Sequence, residues 1–234
     1  MVRGSKLGSF GSKLTIMMNT NNYLEKLRIE EIINLSKFVV QENFKHHLEG
    51  DLPNDYEKNV KSILKEEMSY RKNAHIFVSK DTSGNILGSV RVLKWNYVDI
   101  LPLEKIFNIN PLLEVEDIPL NTIWHVGRFA VKKEVKGIAL FKQLLVCAAA
   151  PVCQNEGNIA FAECDSKLLR ILNLLGVKAT VLGEPVNYLG SETIPISMSY
   201  DGLIDFYNQN KHLVPLNILN SSLFREEELL FSVG

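Results

Sequence analysis

The sequence predicts an α/β domain with a mixed central sheet and helices on both faces, and three observations carry that reading. Apolar runs of strand length alternate along the chain with segments of helical period. Two of the runs, 74–80 and 86–95, are joined by Asp81-Thr82-Ser83-Gly84-Asn85, a composition suited to a hairpin loop. A third run, TIWHVGRFAV at 122–131, leads through a glycine turn into a long apolar helix beginning near Ala139. The order helix, helix, hairpin, strand, helix, strand, helix, strand pair is that of a layered α/β domain.

Taken in order, residues 1–21 form an expected flexible segment. They repeat Gly4-Ser5-Lys6-Leu7 as Gly11-Ser12-Lys13-Leu14, which reads as a linker or cloning scar, with Met17 or Met18 as the native start. Residues 22–234 are expected to form one domain. From 23 to about 48 the period is helical, because Ile29, Ile32, Ile33, Ser36, Val40 and Phe44 fall on one stripe. The breaker at 50–54 precedes a second helix, 56–70. After the hairpin, 96–121 is irregular, punctuated by Pro102, Pro111 and Pro119 around a short helix near 103–107; a loop of that length is usually functional. The stretch 158–165 reads as a buried strand, and 166–176 as a helix capped by Asp165 or Ser166 and closed by Gly176. The segments 177–183 and 193–200 read as final strands and 205–212 as a short helix. In the tail, Glu226, Glu227 and Glu228 mark a helix start.

Composition narrows the function. The chain has 234 residues, 46% hydrophobic and 23% charged, enough for one substantial globular core. A net charge of −1 gives no bulk argument for nucleic acid. Three cysteines, Cys147, Cys153 and Cys164, are odd in number and lack metal-site spacing, which fits a reducing cytoplasm; no metal is expected. The apolar run 144–153 falls short of the roughly 20 residues of a membrane span, and no leader with an apolar core is evident.

Within 122–131 three guests are unusual for a central strand: Gly127, His125 and Arg128. Glycine inside a strand often marks a bulge or a close approach, so the ladder is expected to open here and leave amides free. A strand, a short turn and a helix N-terminus together aim N–H groups at an anionic or carbonyl-bearing ligand.

This arrangement resembles the acyl-CoA-binding segment of the GNAT superfamily of N-acyltransferases. In that superfamily a bulged fourth strand pairs with the pantetheine arm, and a turn of Arg or Gln, two residues, Gly, one residue, Gly or Ala cradles the pyrophosphate. Gly137 and Ala139 match that turn, while Glu134 stands where a basic or amide side chain is usual. A carboxylate there repels a pyrophosphate, leaving room for a donor carried on a protein's phosphopantetheine. Residues 24–210 are similar more narrowly to the acyl-homoserine-lactone synthases and the long-chain N-acyl amino acid synthases. Gly88-Ser89-Val90-Arg91-Val92 matches their Gly-x-x-Arg-Leu hairpin end. Leu101-Pro102-Leu103 with Phe107 matches the loop that follows, and Arg128-Phe129-Ala130-Val131 the end of their fourth strand. His125 replaces the family's usual Glu, and residues 38–60 contain no Trp of the lactone-synthase kind, which favours the amino acid synthase branch.

The resemblance implies an enzyme that moves a fatty acyl group from an acyl-carrier-protein or CoA thioester to the amine of an amino acid or small amino alcohol. The donor is a co-substrate, and no tightly bound cofactor is implied. A lactone synthase using S-adenosylmethionine and a non-catalytic acyl-carrier-binding protein are the alternatives. His125 is a candidate proton acceptor, directly or through water, or else a hydrogen-bonded sheet histidine. Tyr188 is a candidate to protonate the departing thiolate, and Cys164 a lesser candidate whose ordinary role is packing. Arg91 and Arg128 either bind an acceptor carboxylate as guanidinium forks or form structural ion pairs with Glu163 or another acid. Phe129 is assigned to the substrate, and Ala130, Val131, Gly137 and Ala139 to the pantetheine arm and thioester. Lys132, Lys133, Lys136 and Lys142 form either a basic rim for an acidic carrier or a solvated face. Peripheral membrane contact through a lipid product is the remaining expectation.

Overall fold

The computed structural model describes residues 22–47, 54–115, 122–188 and 191–219. The expected flexible start, the Glu226–Glu228 helix and Pro119 lie outside these residues. The elements are β1 (Asn22–Lys26), α1 (Ile32–His47), α2 (Tyr56–Tyr70), β2 (Ala74–Asp81), β3 (Ile86–Lys94), α3 (Pro102–Phe107), β4 (Ile123–Val131) and α4 (Ala139–Ala149). They continue as β5 (Ile159–Cys164), α5 (Ser166–Leu174), β6 (Thr180–Val181), β7 (Val186–Tyr188), β8 (Ser191–Ser199), α6 (Tyr200–Asn210) and α7 (Leu216–Leu219).

Among the described residues the sheet has eight strands in the order β1-β2-β3-β4-β5-β8-β6, with β7 also on β8. Among the described strands only β4 and β5 run parallel; the other pairs are antiparallel, so the sheet is mixed as expected. Alternation along the strands divides the core between two faces. Phe77, Val90, Val92, Trp124, Val126, Ala160 and Ala162 pack with α4, Leu172 of α5 and Leu203 and Phe206 of α6. On the other face Leu93, Ile123 and Phe161 meet Tyr70 of α2 and Leu103 of α3, while Ile76 and Val78 meet Leu35 of α1. Gly88 lets α4 approach β3 closely, because a Cβ there would stand 2.8 Å from Leu144 Cδ1.

Three of the expected elements differ in the structure, and β7 and α7 have no counterpart in the sequence expectation. The start of the helix expected from residue 23 is strand β1, paired with β2 from Asn22 opposite Asp81 to Lys26 opposite Phe77. Five residues at a sheet edge are too few for period to distinguish strand from helix, and cross-strand pairing decides. The expected strand 177–183 is reduced to Thr180–Val181, since only these pair with β8. Finally, α6 begins at Tyr200 rather than near residue 205: Ser199 caps it by accepting from Gly202 N at 3.2 Å. Gly202, which looks like a breaker, is needed for contact, because a Cβ there would meet Lys178 O at 2.4 Å.

Candidate active site

Strand β4 bulges where its glycine sits. Ser89 pairs with Ala130 and Arg91 with Gly127, so Arg128 and Phe129 together oppose the single residue Val90. Arg128 takes a left-handed backbone, φ 54°, and its carbonyl accepts from Ser89 Oγ at 2.8 Å. A bulge re-aims side chains. Here Arg128 turns toward α2, while the Phe129 ring packs on Phe141 of α4 with centroids 4.8 Å apart.

At the same level β4 parts from β5. Their pairing runs from Ile123–Ile159 to Val126–Ala162, whereas β4 continues to Val131 and β5 to Cys164 on its β8 side. The stretch of β4 from Gly127 to Val131 therefore has no β5 partner and forms one wall of a cleft of about 670 Å³. That volume suits a small-molecule site. Gly137 and Ile138, just before α4, and Asp165 and Ser166, at the start of α5, lie along it. Asp165 caps α5 by accepting from Leu168 N at 2.6 Å. Apolar side chains including Val39, Phe44, Phe141, Leu145, Ile171 and Met198 line the remainder.

A buried ionic chain stands at the base of the fork. Glu67 Oε1 accepts from Arg91 Nη1 at 2.6 Å and from Arg128 Nε at 2.7 Å. Arg128 Nη2 is 2.9 Å from Glu66 Oε1, an ion pair without hydrogen-bond alignment. The second Arg91 nitrogen, Nη2, lies 3.1 Å from His125 Nδ1, and His125 Nε2 lies 3.0 and 3.1 Å from the two oxygens of Glu163. A guanidinium only donates, so His125 Nδ1 accepts and the ring proton sits on Nε2, donated to Glu163. Arg91 also stacks on Tyr70, 4.9 Å from the ring centroid. Glycine at 127 makes this possible, since a Cβ would stand 2.8 Å from Arg91 Nη2 and 3.2 Å from His125 Cε1.

Burial pushes the Glu66 carboxyl up, but Arg128 and Arg91 outweigh it and hold it below the usual carboxylate range. For Arg128, burial works against the charge and is overcome by Glu67 and Glu66, so its pKa is raised. Burial raises the Tyr188 phenol; Arg128 opposes the rise, and Glu66 and Glu163 add to it. Cys164 is pushed up to about 12 by burial, with Asp165 and Glu163 contributing, so its thiol stays protonated at neutral pH.

Among the expected site residues, Arg91, Arg128, Phe129, Ala130, Val131, Gly137 and Tyr188 line the cleft. Ala139 opens α4 just beyond it. His125 is fully buried behind Glu163 with both ring nitrogens engaged, the geometry of a hydrogen-bonded sheet histidine. The two arginines pair with Glu66 and Glu67 of α2, not with Glu163. Of the four lysines, Lys132 and Lys133 border the cleft; Lys136 is exposed. Sequence reading missed Glu66 and Glu67, though a signal existed: Glu67 falls on the buried stripe of Val60, Ile63 and Tyr70.

The turn before α4 has an unusual occupant. Glu42 of α1, 2% exposed, accepts from the backbone N–H of Lys133 at 2.8 Å and from Lys45 Nζ at 3.1 Å. Glu134 is exposed and lies 3.7 Å from the same Lys45. Gly137 adopts φ 87° with open space beside it.

Among the described residues no group of His, Cys, Asp or Glu is arranged to hold a metal, and no helix is long and apolar enough to cross a membrane.

A bulged fourth strand, its fork with a parallel fifth strand and a glycine turn leading into a helix make this the fold of the GNAT-type N-acyltransferases. Among solved structures it is similar to FeeM, an N-acyl amino acid synthase from uncultured soil microbes, with TM-score 0.55, 12% identity, and 82% of this chain and 97% of that chain covered. It is also similar to the AHL synthase LasI, with TM-score 0.53, 15% identity, and 80% and 95% covered. TofI, solved in a ternary complex with an inhibitor and MTA, gives TM-score 0.52 and 15% identity over 80% of this chain and 96% of that chain. At such identities the likeness is one of fold. No sequence model of a known family matches the chain, and no curated protein sequence matches it.

Proposed function

We propose that the protein is an N-acyltransferase that moves a fatty acyl group from a carrier-held phosphopantetheine thioester to the amine of a small acceptor, an amino acid or amino alcohol. The observation that carries this reading is the fork at Gly127: β4 is left without a β5 partner from there to Val131, beside an apolar cleft with Glu163 at its base. An extended pantetheine arm completes such an open edge by backbone hydrogen bonding. The apolar walls accept the acyl chain.

In this mechanism Glu163 takes the proton of the incoming ammonium, giving a neutral amine. Its carboxylate is oriented by the His125 Nε2 proton, and Arg91 fixes that tautomer. His125 is thus a positioning residue. The amine nitrogen attacks the thioester carbonyl, the C–N bond forms and the C–S bond breaks, and the proton the nitrogen sheds as it becomes an amide returns through water to Tyr188 after that phenol has protonated the leaving group. Tyr188, a phenol kept protonated, supplies a proton to the departing thiolate. A carrier-borne donor is favoured over CoA because Glu42 already fills the Lys133 amide and Glu134 stands beside it, so the turn holds its own anions where a pyrophosphate would bind.

The test is thiol release from decanoyl-carrier protein and from decanoyl-CoA, each with a panel of amines. Amine-dependent release with the carrier form preferred is expected. A protein that only binds carrier releases no thiol, and that result would end this reading.

A further inference from the structure

A guanidinium recognises a carboxylate best through a bidentate edge, two parallel N–H groups meeting two oxygens. Both guanidiniums at the base of the fork are already matched in charge by carboxylates of α2. Arg91 is fully buried; Nη1 faces Glu67 and Glu66, at 2.6 and 3.4 Å, and Nη2 is given to His125. The Nε and Nη2 edge of Arg128 is turned to Glu67 and Glu66, at 2.7 and 2.9 Å. What remains toward the cleft at this end is acidic: Glu66 and Glu163, with side chains 17% and 11% exposed, and Glu192 on β8. Lys105 of α3, a cation close enough to act on Glu66, donates to the Tyr70 hydroxyl at 3.0 Å and lies over that ring; Lys132, Lys133 and Lys167 also line the cleft.

We propose that the acceptor is an amine without a carboxylate, an amino alcohol or a diamine, and that Glu66 and Glu163 together exclude α-amino acids. This rests on the acyl-transfer reading above and selects within it. An α-amino acid bound with its nitrogen at Glu163 brings its own carboxylate within a few ångströms of two fixed anions, where the charges of both guanidiniums are already matched by Glu66 and Glu67. Like charges that close, in a site of low dielectric, repel strongly. An amine bearing a hydroxyl or a second ammonium meets the same two carboxylates as hydrogen-bond or charge partners. Glu66 is here a specificity-determining residue, and its paired arginines keep it anionic at neutral pH.

The experiment compares acceptors that differ only by the carboxylate: ethanolamine with serine, tyramine with tyrosine, and putrescine with ornithine. Thiol release from decanoyl-carrier protein is followed in each case. A kcat/KM at least about tenfold higher for the decarboxylated member of every pair is expected, and Glu66→Gln narrows that ratio while leaving the chain folded. Amino acids used as well as or better than their decarboxylated partners would overturn the proposal and leave acyl transfer standing. Absence of release with every acceptor would overturn both. The ratio for the unaltered protein decides the matter even if Glu66→Gln is unstable.

Discussion

Gly127 lies directly opposite Arg91 in the β3–β4 ladder, and it is the space above that glycine which the Arg91 guanidinium occupies. A methyl group at 127 would press on a side chain that is fully buried and held at both ends. Gly127→Ala is therefore expected to cost about 1–3 kcal/mol, as overpacking does, read by urea unfolding. Gly127→Val should cost more. An alanine variant as stable as the parent would show that Arg91 is free to move.

Glu67 is the shared acceptor of two guanidiniums and is itself fully buried. Removing one partner of a buried pair leaves charge uncompensated, at a cost of about 3–5 kcal/mol. Glu67→Ala should lower the melting temperature accordingly. The exposed Arg28–Glu31 pair, with Arg28 75% exposed, should show no measurable change when Arg28→Ala is made.

Under the proposed mechanism, Glu163→Gln lowers kcat by roughly 10²–10⁴, the worth of a general base, with little change in melting temperature. His125→Gln costs less and shifts the acidic limb of the pH–rate profile, because it alters how Glu163 is held. Equal rates for both variants and the parent would remove the pair from the chemistry.

His75 on β2 is expected to dominate the pH dependence of stability in mild acid. Burial, and next the Lys26 ammonium 2.9 Å from Nε2, depress its pKa from 6.5 to about 4. Between those values the unfolded chain binds the proton that the folded chain refuses, so stability is complete above pH 6.5 and falls as pH drops toward 4. Below about 4.5 the depressed Glu66 carboxyl adds a further loss of the same sign. His75→Phe should flatten the first window and leave the second, in urea titrations from pH 7 to 4.

Cys164 borders the cleft, yet its thiol is pushed up to about 12. Only the thiolate is a strong nucleophile. Cys164→Ala should therefore retain turnover, and thiol-specific reagents should label the native chain slowly. Loss of acyl transfer in that variant, with folding intact, would point to a covalent intermediate.

Much of this arrangement is legible in the sequence. Gly127 in an apolar run signalled the break in the ladder, because a strand interior tolerates glycine only where something needs its space. The hairpin, α2 and the cap at Asp165 were likewise carried by local chemistry. What could not be read was pairing across distance. Glu66 and Arg128 are far apart in the chain, and nothing local to either says that α2 lies over the bulge. His125 illustrates the same limit: its residue type offered a base, while its neighbours in three dimensions, Arg91 and Glu163, occupy both nitrogens. The edge strand β1 escaped notice because five residues carry too little periodicity.

The left-handed backbone of Arg128 has a mechanical corollary. A non-glycine residue resists that conformation by about 1–2 kcal/mol, and here the counterweight is a grip exerted by acids on a helix outside the sheet. The aperture between the strands is thus propped from α2, so whatever loosens that helix also relaxes the twist that keeps the two strands apart.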